Sequence, residues 1–508
     1  MYKLHLILKY LRKRRIAWVS LVAVMLCTAM VLVVISVMGG WLRMFRQTNH
    51  ALIGDLIVHR YSLDGFGHYQ EMMQDIQKLP EVKAVSPEIH TYALLNIANQ
   101  LRTGVQVVGY DIQTIGQVNG FVSSLHWQPA TLEEKAKEFD RNASALAARV
   151  PEDAEMLRGN AQAMRNKAAA FPSWDKPMAG QEYRDLLPNS HVDVSTWPGI
   201  VVGSGVIGLR PDENGVIERP DFIYRKWVRL TVLNVSESQD TLADTRVTRS
   251  YWLMDDSKTG VFQVDQNMVY VPFDLLQKDL NMDARPYTDR RTGEQKTTFA
   301  RCNQLLISLR DGYDMNAVQP KIAKIVDDLE QKYGDLNFPD DVIKTQTWEE
   351  KQADFLAAVE HEKVLLVILF AIISVVAVFL IFCIFFMIVV EKTRDIGIIK
   401  SVGATSGGVA GIFLGYGLTI GIIGGAGGLL LGYLVVHNIN WLHAWLAREL
   451  GVKIWDAKTY VFDTIPNTME LRDVVVIVTV AILSSVIGAI VPAVRAARMN
   501  PVEALRWE

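Results

Sequence analysis

The chain is poor in cysteine. Three in 508 residues exclude a disulfide scaffold and a cysteine-rich zinc protein. It also lacks a charge excess: 52 basic and 55 acidic residues leave a formal net charge of −3, whereas a nucleic-acid-binding chain carries a marked basic surplus. No Gly-x-x-x-x-Gly-Lys-Ser/Thr loop is present for ATP, and neither His-Glu-x-x-His nor a paired-cysteine motif is present for zinc. Gly203-Ser204-Gly205-Val206-Ile207-Gly208 has dinucleotide-binding spacing, but it reads better as a strand-to-helix turn, where glycine supplies backbone freedom. No enzyme site is expected.

Charge is missing locally as well, over four long stretches: Ile16–Leu42, Val364–Val390, Ser401–Ala447 and Val474–Val494. About 20 apolar residues cross a bilayer as a helix, so each stretch is long enough. The two 27-residue runs, Ile16–Leu42 and Val364–Val390, exceed that need, so those helices are expected to tilt or to continue as stalks. Lys3, Lys9, Arg12, Lys13, Arg14 and Arg15 precede the first run, which is too long and too poorly ended for a cleaved signal peptide. Basic residues mark the cytoplasmic side. Lys392, Arg394, Lys400, Arg495, Arg498 and Arg506 fall on the same side as the N-terminal cluster when four spans are counted.

The expected fold is an α-helical membrane protein with four transmembrane helices and a large two-lobed α+β periplasmic domain carrying a helical insertion. Its segments are an interfacial N-terminal helix at 1–15, a first span and stalk at 16–42, the periplasmic domain at 43–360, and a second span at 361–390. A cytoplasmic coupling helix at 391–406, a third span at 407–436, a periplasmic loop at 437–473, a fourth span at 474–494 and a cytoplasmic tail at 495–508 follow. Residues 128–190 form the insertion, because the Ala-, Glu-, Lys- and Arg-rich part from 131 to 170 predicts two helices. Strand-like runs are Val82–Ile89, Gly104–Gly109, Gly199–Val202, Trp227–Leu233 and Asn267–Pro272. Helices are expected over Tyr69–Lys78 and from Pro320 to Lys332, the proline opening the second.

The third span concentrates glycine in small-xxx-small ladders, among them Gly411, Gly415, Gly421, Gly425, Gly428 and Gly432, which let helix backbones approach closely. The loop before it alternates charge with isoleucine: Glu391, Lys392, Arg394, Asp395, Ile396, Gly397, Ile398, then Gly403. A short amphipathic cytoplasmic helix of this kind suits docking in a partner's groove.

This arrangement resembles the FtsX-like, MacB-type ABC transporter permeases. The match lies in Glu391-Lys392-x-Arg394-Asp395-Ile396-Gly397-Ile398, in Val402-Gly403-Ala404, and in the tail from Pro492-Ala493-x-Arg495 to Asn500-Pro501-Val502-Glu503-Ala504-Leu505. Ile35-Ser36-Val37-Met38-Gly39-Gly40, Gly260-x-x-x-x-Asp265 before Val269-Tyr270-Val271-Pro272, and Thr347-Trp348 are similar to segments of the lipoprotein-releasing LolC/LolE type.

The resemblance implies a mechanotransmission permease of the bacterial inner membrane that extracts lipoproteins from the outer leaflet and hands them to a periplasmic carrier chaperone. It implies two copies of a cytoplasmic ABC ATPase, which hold the ATP and Mg, and a second permease subunit, identical or paralogous. Residues 391–404 would carry the relay, with Ile396 and Ile398 filling the ATPase groove. Acyl chains would enter a cavity between the outer ends of spans one and two, for which Val34, Val37, Met38, Trp41, Leu365, Leu366, Leu369 and Phe370 are candidates. The loop Asn234–Arg246 is where a chaperone hook would lie. The alternatives are a mechanotransmitter acting on a periplasmic efflux partner or cell-wall hydrolase, and an ATPase-free membrane receptor.

Overall fold

The computed structural model describes residues 15–97, 100–147, 150–174, 197–209, 217–220, 223–224, 226–233, 246–288, 295–334, 342–452, 454–455, 462 and 464–505. The expected N-terminal helix up to residue 14, the hook residues 234–245 and parts of the insertion (148–149 and 175–190) lie outside them. The chain divides into two compact units. One comprises residues 1–45, 354–455 and 464–508, the other 46–353 and 456–463.

The first unit is helical. Among the described residues, four helices are long and apolar enough to cross a membrane: α1 (Arg15–Ile53), α11 (Ala353–Glu391), α13 (Ser406–His437) and α15 (Leu471–Arg498). At 1.5 Å per residue, the 39 residues of α1 and of α11 extend about 58 Å, nearly twice the hydrocarbon thickness of a bilayer. Between the spans lie α12 (Thr393–Ser401) and α14 (Ile439–Glu449), and α16 (Pro501–Leu505) follows the last.

The second unit is α+β. One nine-stranded sheet runs through it in the order β11-β1-β10-β2-β3-β7-β4-β6-β5. The strands are β1 (Leu56–His59), β2 (Val82–Ile97), β3 (Gln100–Tyr110), β4 (Gly199–Gly203), β5 (Trp227–Leu233), β6 (Arg246–Ser257), β7 (Met268–Pro272), β10 (Gln304–Leu309) and β11 (Lys344–Thr347). A small hairpin, β8 (Pro286–Thr288) with β9 (Gln295–Thr297), stands apart. The distal half of β2 also pairs with β5, Ala93 opposite Val232 through Ile97 opposite Val228. Strands β2, β3, β7, β4, β6 and β5 therefore close into a ring, and β10, β1 and β11 extend from its wall. All nine strands thus belong to one hydrogen-bonded framework.

Both faces of the sheet are covered. Leu56, Val58, Val107, Ile200, Val202, Leu305 and Ile307 belong to one core cluster, whereas their alternates Ile57, Val108, Val201 and Leu306 belong to another. Successive strand residues point to opposite faces, so a strand buried on both reads as an unbroken apolar run. On the first face, α2 (Tyr69–Gln77) contributes Met72 and Ile76, and α9 (Met315–Tyr333) contributes Val318, Ile322, Val326 and Leu329. On the other, α3 (Ile112–Val118) and α4 (Phe121–Ser124) contribute Ile115, Val118 and Phe121. Helix α9 starts five residues before Pro320. The Asp314 side chain accepts from the Asn316 amide 3.1 Å away and sets the start there, leaving the proline inside.

Two helices occupy the expected insertion: α5 (Pro129–Leu146) and α6 (Pro151–Ala169), each opened by a proline. Leu132, Ala136, Ala161 and Met164 join the main core, so the pair is built into the unit. The Trp127 amide donates to the Asp255 carboxylate at 3.2 Å, and the buried Lys167 of α6 faces that carboxylate. The neighbouring Asp256, fully buried, is held by the Arg219 guanidinium at 3.0 Å and by the Tyr224 hydroxyl.

Residues 204–208 form turns after β4, and Gly208 has φ +81°. Short α7 (Phe262–Asn267) supplies Asp265, whose carboxylate accepts from the Thr259 amide at 2.8 Å and the Gly260 amide at 3.1 Å. The Gly260/Asp265 spacing is thus a loop closure, with Gly260 at φ +82°. Helix α8 (Phe273–Asp279) follows β7. Thr347 opens α10 (Trp348–Lys351) with a reciprocal capping box to Glu350.

Candidate functional site

The third span is sandwiched between its neighbours, and glycine is what permits it. A Cβ on Gly428 would sit 2.6 Å from Thr28 Cβ and 2.7 Å from the Met25 carbonyl oxygen. One on Gly424 would meet Val24 at 2.8 Å, and one on Gly432 would meet Leu32 at 2.8 Å. Gly424, Gly428 and Gly432 therefore seat α1. The face bearing Gly417, Gly421 and Gly425 seats α15: a Cβ on Gly417 would lie 2.7 Å from Ala489 Cβ, one on Gly421 3.0 Å from Ile482 Cα, and one on Gly425 3.6 Å from Val478. Gly411 is a correction to the expected ladder, because it is exposed and nothing lies within 4 Å of its Cβ position. Gly415 is half-buried, and its carbonyl accepts from Thr419 Oγ1 at 2.7 Å. Gly488 of α15 was missed by the sequence reading, yet a Cβ there would lie 2.9 Å from Ile381 and from the Val378 carbonyl of α11. It has no glycine neighbours in the sequence to mark it.

The segment after α11 divides cleanly into two faces. Ile396, 4% exposed, enters an apolar cluster with Ile388, Val389, Val409, Phe413 and Ala496. Gly397 and Thr393 are buried beside it. This corrects the expectation that Ile396 fills a partner's groove: its burial holds α12 to its own bundle. Glu391, Arg394 and Ile398 face outward, Ile398 being 47% exposed. Val402, one helical turn beyond Ile398, is 85% exposed and was not singled out from the sequence. Lys392 and Asp395 form an i,i+3 ion pair along the helix.

The end of α12 is fixed by backbone geometry. The Ala404 amide donates to the Ile399 carbonyl at 3.1 Å and the Gly403 amide to the Lys400 carbonyl at 3.1 Å, with Gly403 at φ +107°. This is a Schellman cap, whose left-handed residue is best filled by glycine. Lys400 reaches across to the tail, its ammonium donating to the carbonyls of Ala497 at 2.8 Å and Met499 at 2.7 Å. A cation at the last carbonyls of α15 also complements that helix's dipole. Helix α12 packs on α16, which starts at Pro501 after Asn500 accepts from the Val502 amide at 3.2 Å. The Arg495 guanidinium lies 4.6 Å from the Phe386 ring centre.

A cavity of about 240 Å³ lies between α1, α11 and α15. It is lined by helical stripes: Val24, Thr28, Val31 and Ile35 from α1, Val367, Phe370, Ser374 and Ala377 from α11, and Ile477, Ala481 and Ser485 from α15. Thr28 and Ser485 donate to carbonyls of their own helices, Val24 at 2.8 Å and Ala481 at 3.0 Å, so their hydroxyl protons are already engaged. Of the eight cavity candidates only Phe370 lines it. Trp41 is buried against Phe45, with ring centres 5.5 Å apart. Leu365, 66% exposed, and Leu369 turn outward, and Val34, Val37, Met38 and Leu366 are half-buried away from the cavity. Apolar residues all round a helix mark no inward face, which is why the sequence reading missed the stripe.

The FtsX-like permease C-terminal family matches residues 367–501. The lipoprotein-releasing system transmembrane protein LolC of Xylella fastidiosa strain 9a5c is 31% identical over 331 residues, covering 64% of this chain and 72% of that protein. LolC of a second Xylella fastidiosa strain, Temecula1, is 23% identical over the same shares. LolE of Haemophilus influenzae is 26% identical over 170 residues, 34% of this chain and 41% of that one. The periplasmic region of MacB from Actinobacillus actinomycetemcomitans aligns over 60% of this chain and 94% of its own, at 8% identity and a TM-score of 0.28, too loose a likeness to carry an argument. With 72% of a LolC protein matched at 31% identity, the chain belongs to the LolC/LolE family of FtsX-like ABC transporter permeases.

Proposed function

We propose that this permease extracts lipoproteins from the outer leaflet of a bacterial inner membrane and passes them to a periplasmic carrier, driven by a separate cytoplasmic ATPase. The observation that carries the reading is the cavity between α1, α11 and α15, in which the Thr28 and Ser485 hydroxyls are satisfied by their own helices. The rest of the lining is mostly aliphatic, with Phe370, and such a surface favours an acyl chain, each buried methylene of which is worth about 0.8 kcal/mol. The outward face of α12, with Glu391, Arg394, Ile398 and Val402, is the surface on which an ATPase subunit docks. Closure of two such subunits on ATP and Mg moves α12, and the Lys400 contacts with the tail and the Ile396 anchorage carry that motion into α15, α11 and α13. A second permease subunit, identical or paralogous, completes the conduit.

Filling the cavity tests this. Ala481→Trp in the full chain should leave the protein in the membrane with its ATPase bound while lipoproteins stay in the inner membrane. Correct sorting of outer-membrane lipoproteins after depletion of this chain would defeat the reading. In that case a mechanotransmitter for a periplasmic protein partner becomes the better account.

A further inference from the structure

We propose that α14, the helix between the third and fourth spans, is an interfacial anchor whose tryptophan face seats in the headgroup region of the leaflet where the third span ends. The helix begins two residues after α13 ends, at Ile439. None of its residues is fully buried. One side is engaged within its own unit. Asn440 Nδ2 donates to the Ile465 carbonyl at 3.0 Å, and the Ile465 amide donates back to Asn440 Oδ1 at 2.9 Å. One turn on, His443 Nε2 accepts from the Trp455 amide at 3.2 Å. These bonds fix the helix's rotation.

Trp441 and Trp445, one turn apart, point the other way, 68% and 45% exposed. Exposed Leu450, Val452 and Ile454 follow directly. Leu430, Tyr433 and Leu434, near the end of the third span and just ahead of this helix in the chain, are exposed as well. The direct chain connection to the end of a spanning helix, and the residue types, commit the face to lipid. Tryptophan is enriched at the boundary between hydrocarbon and water, where its ring is buried and its N–H stays wet. A helix of this kind lies in the interface plane. The inference rests on the spanning assignment of α13, so its test must separate the two.

Spin labels at Trp441→Cys and, separately, Trp445→Cys are compared in the full chain, with Cys27, Cys302 and Cys383 replaced by alanine, in phosphatidylethanolamine/phosphatidylglycerol vesicles. Leu430→Cys serves as the span reference and Gln74→Cys, exposed on the α+β unit, as the water reference. The expected result is a ratio of oxygen to nickel-chelate collisions several-fold above that at position 74, at a depth shallower than position 430. A ratio equal to that at position 74 would overturn the anchor, and so would exclusion of both reagents, which marks a protein contact such as a second copy. A water-exposed label at position 430 would overturn the spanning assignment and the anchor with it.

Discussion

His50 Nε2 lies 2.7 Å from Oδ1 of Asp55, joining the last turn of α1 to the residue that opens β1. The other Asp55 oxygen accepts from the Leu309 amide at 2.6 Å, the Asp55 carbonyl accepts from the Trp348 amide at 3.2 Å, and the His50 ring lies 5.8 Å from the Trp348 ring. One carboxylate thus ties together the exit of α1, strand β10 and the start of α10.

The clamp is pH-dependent. The hydrogen bond to Asp55 raises the His50 imidazole above its ordinary value, outweighing its burial. Burial pushes the Asp55 carboxyl up, but His50 and the Leu309 amide more than reverse this, so it titrates low. A raised histidine contributes stability that is complete below about 6.5 and fades as pH rises through its folded value. A lowered carboxyl contributes above about 3.9 and loses that contribution on further acidification. The exchange protection of the Leu309 amide should therefore be highest between these limits and weaken toward pH 8. His50→Phe should abolish that decline.

Gly428 and Gly411 should respond in opposite senses to alanine. At position 428 the new methyl meets a helix backbone and Thr28, an overpacking that costs about 1–3 kcal/mol. At position 411 it meets nothing, and replacing a helical glycine gains up to about 1 kcal/mol. Thermal unfolding in detergent should show a lowered midpoint for Gly428→Ala and an unchanged or raised one for Gly411→Ala.

Aspartate scanning should split α12. Ile398→Asp on the exposed face should leave the unfolding midpoint within a degree or so of wild type while abolishing co-purification of the ATPase. Ile396→Asp buries an unpaired charge and should destabilise the bundle by several kcal/mol. Gly403→Ala forces a left-handed conformation on a residue with a Cβ, at about 1–2 kcal/mol, and should fray the α12 end.

The Asp255 carboxyl is raised to about 7, chiefly by burial, with Lys167 opposing and Asp256 adding to the rise. A carboxyl raised in the folded state favours folding fully below about 3.9 and loses that contribution as pH climbs through 7. The midpoint of Asp255→Asn relative to wild type should therefore rise between pH 4 and pH 8. An unchanged difference across that range would show that Asp255 ionises freely in the fold.

The spans were plain in the sequence because a bilayer imposes length and apolarity without reference to any neighbour. The end of α12 was not marked: the coupling helix was expected to reach 406, but it stops at Ser401, where Gly403 turns the backbone left-handed. The start of α9 was misplaced because Pro320 is a stronger local signal than the single cap at Asp314.

What the sequence determined by itself is what one-dimensional pattern carries: four uncharged runs, a glycine-dense third span, a short amphipathic loop between charged ends, and apolar strands separated by turns. Which side of each helix faces inward was settled only by the tertiary structure. Runs such as Val364–Val390 are apolar at every position, so composition cannot tell Phe370, in the cavity, from Leu369, turned outward. The same holds for Ile396 and Ile398, two residues apart with the same side chain. Their opposite fates depend on where α13 and α15 lie, and the position of those helices follows from contacts hundreds of residues away in the chain, at Val24, Met25 and Thr28.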